Sequence, residues 1–311
     1  MTAKVQWPDD FARSPDDSAR SPDDSARSPD DSANAPDDPE TSLDEATTLP
    51  DETARGAVPG SATRSAAPRF YCEQGPELSA VGRPWPLPEA VAHHAVRVLR
   101  LLPGDALTLF TGMGGEYAAT LVRADRKSAI VQIDAFADVQ RESPLATLLV
   151  QALAANDAMD FAVRKAVEAG VTAIQPIVTL RSARMPDGER GAKRLAHWRQ
   201  IAIAACEQCG RNRVPDVRPA VPVAQWLAVR DRNVLGLVVA PDALAAFALV
   251  DVAPTAVEFL IGPEGGLTPA EVDAARAAGM TAMRLGPRIL RTETAGVAML
   301  ALLQSRWGDW R

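Results

Sequence analysis

The chain of 311 residues has only three cysteines, Cys72, Cys206 and Cys209, too few for a disulfide framework. It has no run of about twenty apolar residues, so no membrane span is expected. Its first residues lack a basic-then-apolar signal and are too acidic for a mitochondrial transit peptide, so a reducing cytoplasm is the expected compartment. Cys206-Glu207-Gln208-Cys209 is the one CxxC. A tetrahedral zinc needs four ligands, and no second CxxC supplies them. The pair also falls within a predicted helix rather than at a helix start, where a thiolate would be stabilised. No metal is expected.

Residues 1–68 differ in kind from the rest. RSPDDSA occurs three times in register, from Arg13, Arg20 and Arg27, with weaker copies at 8–12 and 36–38. Asp, Ser, Pro and Ala dominate, and such a segment cannot bury enough apolar surface to offset its ordering entropy. Pro15, Pro22 and Pro29 exclude a continuous coiled coil despite the seven-residue period. A disordered acidic tail is expected, either a dispensable extension or an interaction arm. It carries 15 acidic against 6 basic residues, a net of −9, which leaves 25 against 27, a net of +2, for residues 69–311. The acidic pI of about 5.1 therefore does not argue against a nucleic-acid partner, since binding depends on where the charge lies.

From 69 to 140 the pattern is mostly β. Alternating runs at 107–109, 117–121 and 129–133 predict strands, and Gly112, Gly114 and Gly115 make a turn between the first two. One helix is predicted over 88–102, with Val91, Ala95, Val98 and Leu102 on one face. On it, His94 is expected to pack and His93 to meet solvent. Arg141-Glu142-Ser143-Pro144 reads as a linker. Strands and helices then alternate to the end: strands at 145–153, 171–178 and 234–240, a helix capped by Asp157 and ended by Gly170, and a helix over 190–209. Such alternation means a mostly parallel sheet with helices on both faces.

The most informative stretch is FLIGPEGGLTPAEVDAARAAGMTAMRLGPRILRTETAG, residues 259–296. A short buried strand at 257–261 stops at Gly262-Pro263-Glu264-Gly265-Gly266. A helix follows, with Thr268 as cap, Pro269 at its first position, Glu271 completing a capping box and Gly279 closing it. A second strand, 281–285, runs into Gly286-Pro287-Arg288-Ile289-Leu290-Arg291-Thr292-Glu293-Thr294, and an apolar helix is expected from 295 to 303. Both loops should sit at the carboxyl ends of parallel strands, the edge where open α/β sheets bind ligands. No lysine follows Gly266, and Gly-x-Gly-x-x-Gly is absent, so neither a P-loop nor a dinucleotide fold fits. A nucleotide-like ligand that does not depend on phosphate contacts fits better.

IGPEGGLTPAEV followed by LGPRILRTETA resembles the signature of the RsmE family, methyltransferases of the SPOUT superfamily that use S-adenosylmethionine to methylate N3 of a uridine in 16S rRNA. HHAVRVLRLLPGD (93–105), MDFAVRKAVEAGVTAIQPIVTLRS (159–182) and KRLAHWRQIAIAACEQCGRNRVP (193–215) are similar to the family's other segments. The resemblance covers about residue 69 to the C-terminus. It implies an α/β fold: a trefoil-knotted methyltransferase domain over 141–311, preceded by a PUA-like RNA-binding barrel over 69–140. It implies S-adenosylmethionine as cofactor, held by Leu260, Gly262, Pro263, Glu264, Gly265, Gly266, Leu285, Gly286, Ile289, Leu290 and Thr294. Arg291 is the candidate for stabilising charge on the base, with Glu293 and Glu264 as candidate proton acceptors. Arg69, Arg97, Arg100, Arg211 and Arg288 are candidate RNA contacts. The structural alternative for Arg288 and Arg291 is an ion pair with Glu293 or Glu264. The implied partners are small-subunit rRNA, within the 30S subunit, and a second copy of the chain, with the 295–303 helix as a candidate interface. Where the family commonly has a lysine after the first catalytic strand, this chain has Ala154-Ala155-Asn156-Asp157. Two alternatives stay open: a non-catalytic RNA-binding protein, and a related enzyme acting on tRNA or a ribose hydroxyl.

Overall fold

A computed structural model describes residues 67–126, 128–184, 188–246 and 253–310. The repeat tail expected to be disordered lies outside the described residues. Ser65–Arg311 form one compact unit.

The N-terminal part of that unit is a five-stranded sheet. It contains β1 (Arg69–Tyr71), β2 (Pro84–Pro86), β3 (Ala106–Phe110), β4 (Glu116–Ala124) and β5 (Ala129–Ala137), in the order β1-β3-β4-β5-β2. Alternation puts Leu107, Leu109, Tyr117, Ala119, Leu121, Ala129, Val131 and Ile133 in its core. Register shifts between Ala118 and Ala119, and between Leu121 and Arg123, interrupt the β4–β5 ladder and bend the sheet, as bulges do.

The helix expected over 88–102 is shorter. Helix α1 (Glu89–His93) runs directly into a π-turn over His94–Val98. Leu99 N–H donates to His94 O at 3.0 Å, and Arg100 then takes φ +57°. The wider turn changes the angular phase of every later side chain, and the left-handed residue ends the helix. Ala92 and Ala95 are therefore buried, whereas Val98 and Leu102 are 58% and 67% exposed. His94 packs edge-on to Phe70, with centroids 5.6 Å apart, and His93 is exposed.

The remaining residues alternate as expected. The strands are β6 (Ala146–Ala152), β7 (Ala173–Val178), β8 (Asp216–Val217), β9 (Val221–Pro222), β10 (Leu235–Val239), β11 (Ala245–Ala246), β12 (Ala256–Ile261) and β13 (Met280–Arg284). The helices are α2 (Asn156–Glu168), α3 (Gly188–Cys209), α4 (Val223–Val229), α5 (Pro269–Ala277) and α6 (Thr292–Trp307). The strand order is β11-β13-β10-β12-β6-β7-β8, with β9 also on β7, and every pairing is parallel. All six residues of β12 are buried, as suits a strand covered on both faces. The last two strands are each inserted between earlier ones, β12 between β10 and β6 and β13 between β11 and β10. Residues 247–252 of the crossover into β12 lie outside the described residues, and with them the full chain path that the expected knot requires. Among the described residues no helix is long and apolar enough to cross a membrane.

Central strand β12 carries a charge. Glu258 Oε2 accepts from Arg230 Nε at 2.9 Å, with both side chains almost fully buried. The other two guanidinium nitrogens donate to Ala278 O at 2.7 Å and Val234 O at 2.9 Å. A buried charge is tolerable only when paired in this way. Gly236 makes the room, since a Cβ there would lie 2.5 Å from Arg230 Nη2.

Polar groups also anchor the segment between the two sheets. Glu116 accepts from Arg69 at 2.6 Å and from Arg141 at 2.6 and 3.1 Å. Arg211 forks onto Glu142 and donates to Val167 O and Val171 O, both at 2.9 Å. Ser143 donates to Gln304, whose amide donates to Ala169 O at 3.2 Å. The segment read as a linker is thus packed into the protein. Arg69 and Arg211 were expected to contact RNA, and the structure corrects both. Arg211 is 5% exposed, and Arg69 lies over the Phe110 ring. The terminal guanidinium nitrogens of both donate inside the fold.

Hydrogen bonds from Arg141 and then Arg69 hold the Glu116 carboxyl down at about 2 from an ordinary value of 4.5, against the opposing effect of burial. The folded-state value is depressed, so this contribution to stability is present above about pH 4.5 and is lost as pH falls toward 2. Urea unfolding across that window is expected to show a flatter stability-versus-pH curve for Glu116→Gln than for the unaltered chain. Parallel curves would contradict the assignment.

Candidate functional site

Because the strands run parallel, the segments leaving β6, β7, β12 and β13 share one edge of the sheet. The one leaving β12 is built by local chemistry. Thr268 Oγ1 accepts from Glu271 N at 3.2 Å, and Glu271 returns a carboxylate oxygen to Thr268 N at 2.8 Å. This capping box, with Pro269 at the start of α5, fixes where the loop ends. Gly266 takes φ +68°, which favours glycine. A Cβ on Gly262 would stand 2.9 Å from Leu267 N, so residue 262 must also be small.

Neighbouring segments hold this loop from two sides. Glu264 Oε1 accepts from Ala155 N at 2.7 Å. Ala155 is the N-cap of α2 and has no side-chain cap. The capping role expected of Asp157 therefore belongs to Glu264, because Asp157 already lies inside the first turn. On the other side, Arg181 Nη1 donates to Gly265 O at 2.9 Å, and Leu180 N donates to Glu271 Oε1 at 2.8 Å.

The segment leaving β13 does something the sequence did not disclose. In the sheet, β10 separates β13 from β12. Yet Thr292, the first residue of α6, donates from Oγ1 to Gly262 O at 2.6 Å and accepts from Gln151 Nε2 at 2.8 Å. Residues 285–291 must therefore cross the end of β10 to bring α6 against the end of β12. Gly286 takes φ +89°, with nothing within 4 Å of where a Cβ would stand. The main-chain N–H groups of Gly286, Arg288, Ile289 and Leu290 donate to nothing among the described residues. Such a run of unpaired polar backbone beside the half-buried Leu285 and Leu290 can bind a ligand through main-chain hydrogen bonds. Ile289, expected to line the same site, is 83% exposed.

Arg291 is the N-cap of α6 and is exposed, as are Arg288 and Thr294, while Glu293 is partly buried. The ion pairs that would have made Arg288 and Arg291 purely structural are not formed among the described residues. Helix α6 begins three residues before its expected start, which puts the whole Thr-Glu-Thr string in its first turn. Arg97 and Arg100 are exposed on the π-turn and its end, and neither forms an ion pair among the described residues. Gln151 was not singled out from sequence, and Thr292 was read only as one of the residues crowded into the second loop. A buried Gln at the end of a strand was the only signal for the first.

The CxxC does not form a site. Cys206 and Cys209 are free, burial pushes the Cys206 thiol up to about 12, and its Sγ donates to Arg213 O at 3.5 Å. Among the described residues no group of three or more His, Cys, Asp or Glu could hold a metal.

A family profile described as an RNA methyltransferase domain matches residues 141–304, and one described as an RNA methyltransferase PUA domain matches residues 87–134. The ribosomal RNA small subunit methyltransferase E of Bacillus subtilis is 31% identical over 240 residues, 74% of this chain and 91% of that protein. Two solved structures are similar. One is a ribosomal RNA small subunit methyltransferase E from Neisseria gonorrhoeae bound to S-adenosylmethionine, 38% identical with a TM-score of 0.73. The other is a methyltransferase from Legionella pneumophila with bound S-adenosylmethionine, 36% identical with a TM-score of 0.74. Each alignment covers 79% of this chain and 100% of the other. With two sheets, the two strand-end loops and both profiles matched, the chain belongs to the ribosomal RNA small subunit methyltransferase E (RsmE) family of RNA methyltransferases.

Proposed function

We propose that this chain is an S-adenosylmethionine-dependent methyltransferase that modifies N3 of one uridine in small-subunit rRNA. The observation that carries this is the unpaired main chain of 286–290, running from the end of β13 to an unpaired arginine at the start of α6. Domain limits of 69–140 for RNA binding and 141–311 for methyl transfer accompany the proposal. So do action as a homodimer on the 30S subunit and a cytoplasmic location.

The residues present fit the cofactor. An adenine needs a few hydrogen bonds and apolar walls, and the free N–H groups of Gly286, Arg288, Ile289 and Leu290 beside Leu285 and Leu290 supply both. Leu260, Gly262, Pro263, Gly265, Gly266 and Thr294 complete the proposed lining. When bound, S-adenosylmethionine supplies a methyl group on a positively charged sulfur, and the protein's task is alignment. Neutral uracil carries a proton on N3 that must leave as the N–C bond forms. Arg291, exposed and unpaired, stabilises negative charge spreading onto the base carbonyl oxygens. Glu293 takes the proton. Glu264 is the weaker candidate, because one of its oxygens already accepts from Ala155 N–H. Arg97, Arg100 and Arg288 supply charge for RNA phosphates.

Labelled methyl transfer to small subunits lacking the modification tests this. N3-methyluridine at a single position is the expected product. Arg291→Ala should lower kcat by about a hundredfold or more, the usual effect of removing one charge-stabilising donor, with donor binding kept. Product on tRNA or on a ribose hydroxyl would contradict the substrate, and donor binding without any transfer would favour a non-catalytic RNA-binding protein. Thr292→Val keeps shape but strips the hydroxyl from Gly262 O and Gln151. It should cost about 1–3 kcal/mol in urea unfolding and weaken donor binding. Unchanged stability and affinity would remove Thr292 from the site's framework.

A further inference from the structure

The contact between the small sheet and the parallel sheet has an apolar part, where Phe110 is fully buried in the parallel sheet's core and Tyr71 packs against it, and a polar part made of charged and main-chain groups. Two domains of one chain move relative to each other by default unless their interface prevents it. Here three separate segments prevent it. On β1, Tyr71 N donates to Glu207 Oε1 at 2.9 Å, and Arg69 donates to Asn212 Oδ1. At the turn before β4, Gly114 N donates to Asn212 O at 3.1 Å and Val214 N donates to Gly112 O at 3.3 Å. In the segment after β5, Asn212 Nδ2 donates to Val139 O at 3.1 Å, and Arg141 forks onto Glu116.

The turn is shaped to this contact. Gly112 and Gly114 take φ +82° and +106°. A Cβ on Gly112 would meet Val214 Cγ2 at 3.2 Å, and one on Gly114 would meet Arg213 Nη2 at 3.1 Å. A tether needs none of these features. Asn212 uses its backbone carbonyl, its side-chain oxygen and its side-chain nitrogen on three different segments of the small domain.

We infer that Glu116, Arg141 and Asn212 are positioning residues that lock the exposed arginines of the π-turn at a fixed placement relative to the methyl-transfer site, so that one RNA engages both. This rests on the rRNA methyltransferase function proposed above. Its physical basis is effective concentration. When two contact patches are held rigidly, binding at one makes binding at the other intramolecular, and loosening the joint dilutes the second contact without altering either patch. The effect therefore belongs to the affinity for a large RNA. It does not belong to the donor site, which Thr292 and the capping box organise separately.

The test uses the full chain with Arg141→Ala and Glu116→Gln. Donor affinity comes from titration calorimetry, KM and kcat from transfer to unmodified small subunits, and domain orientation from residual dipolar couplings. Donor affinity and kcat should hold, while KM for the subunit rises about tenfold, the factor matching loss of one charge-assisted hydrogen bond. The couplings should report reorientation of the small domain. An unchanged KM in a folded variant would overturn the inference. So would donor affinity, kcat and KM worsening together, since that pattern marks a general loss of structure. If Glu116→Gln fails to fold, Arg141→Ala, at a side chain 39% exposed, carries the test. If the unaltered chain transfers no methyl to rRNA, the parent function fails, and the couplings alone decide whether these residues lock the joint.

Discussion

One hydroxyl, Thr292 Oγ1, ties three strand-end segments together. It donates to the carbonyl of Gly262 after β12 and accepts from Gln151 on β6, while its own backbone starts α6. That link requires residues 285–291 to cross the end of β10. The crossing in turn leaves a run of backbone N–H groups without partners inside the described fold. Gly286, Arg288 and Ile289 are exposed, so these groups face solvent and are open to a ligand's acceptors. The proposed donor site is therefore a consequence of the parallel strand order together with one side-chain bond, and it depends little on any long side chain.

Charge inside the fold serves position in two places. Arg230 and Glu258 lock α4, α5 and the central strand, and Arg211 with Glu142 locks the segment joining the two sheets to α2 and α3. Buried pairs are weak sources of net stability but are strongly destabilising to break. Each also demands a specific geometry, which a hydrophobic contact does not. Gly236 shows how closely the backbone is fitted to such a group, since a Cβ there would collide with the Arg230 guanidinium.

Local features were legible in the sequence. The capping box at Thr268, Pro269 and Glu271, the left-handed Gly279, and the strands at β6, β7, β10, β12 and β13 all follow from signals a few residues long. The order of the strands does not, because it is set by crossovers of tens of residues. The π-turn was missed because a helical pattern of apolar residues assumes a constant turn, and His94–Val98 does not keep one. The cap of α2 was misassigned because its acceptor, Glu264, lies 109 residues away. Arg69 and Arg211 were candidate RNA contacts by the family resemblance, and nothing local in the sequence marks a basic residue as turned inward. Only their long-range partners Glu116, Asn212 and Glu142 reveal otherwise. In the proposed donor site the glycines and the Arg-Thr-Glu-Thr string were legible by motif. Gln151 was not, because nothing local marks a buried amide as a partner of Thr292.

Amide hydrogen exchange with and without S-adenosylmethionine tests the central claim most directly. The main chain of 262–266 and 285–291 should become protected on adding the donor, with little change in β3, β4 and β5. Donor binding that leaves the 285–291 amides unprotected, or protects a different part of the sheet edge, would contradict a site built from that crossing segment.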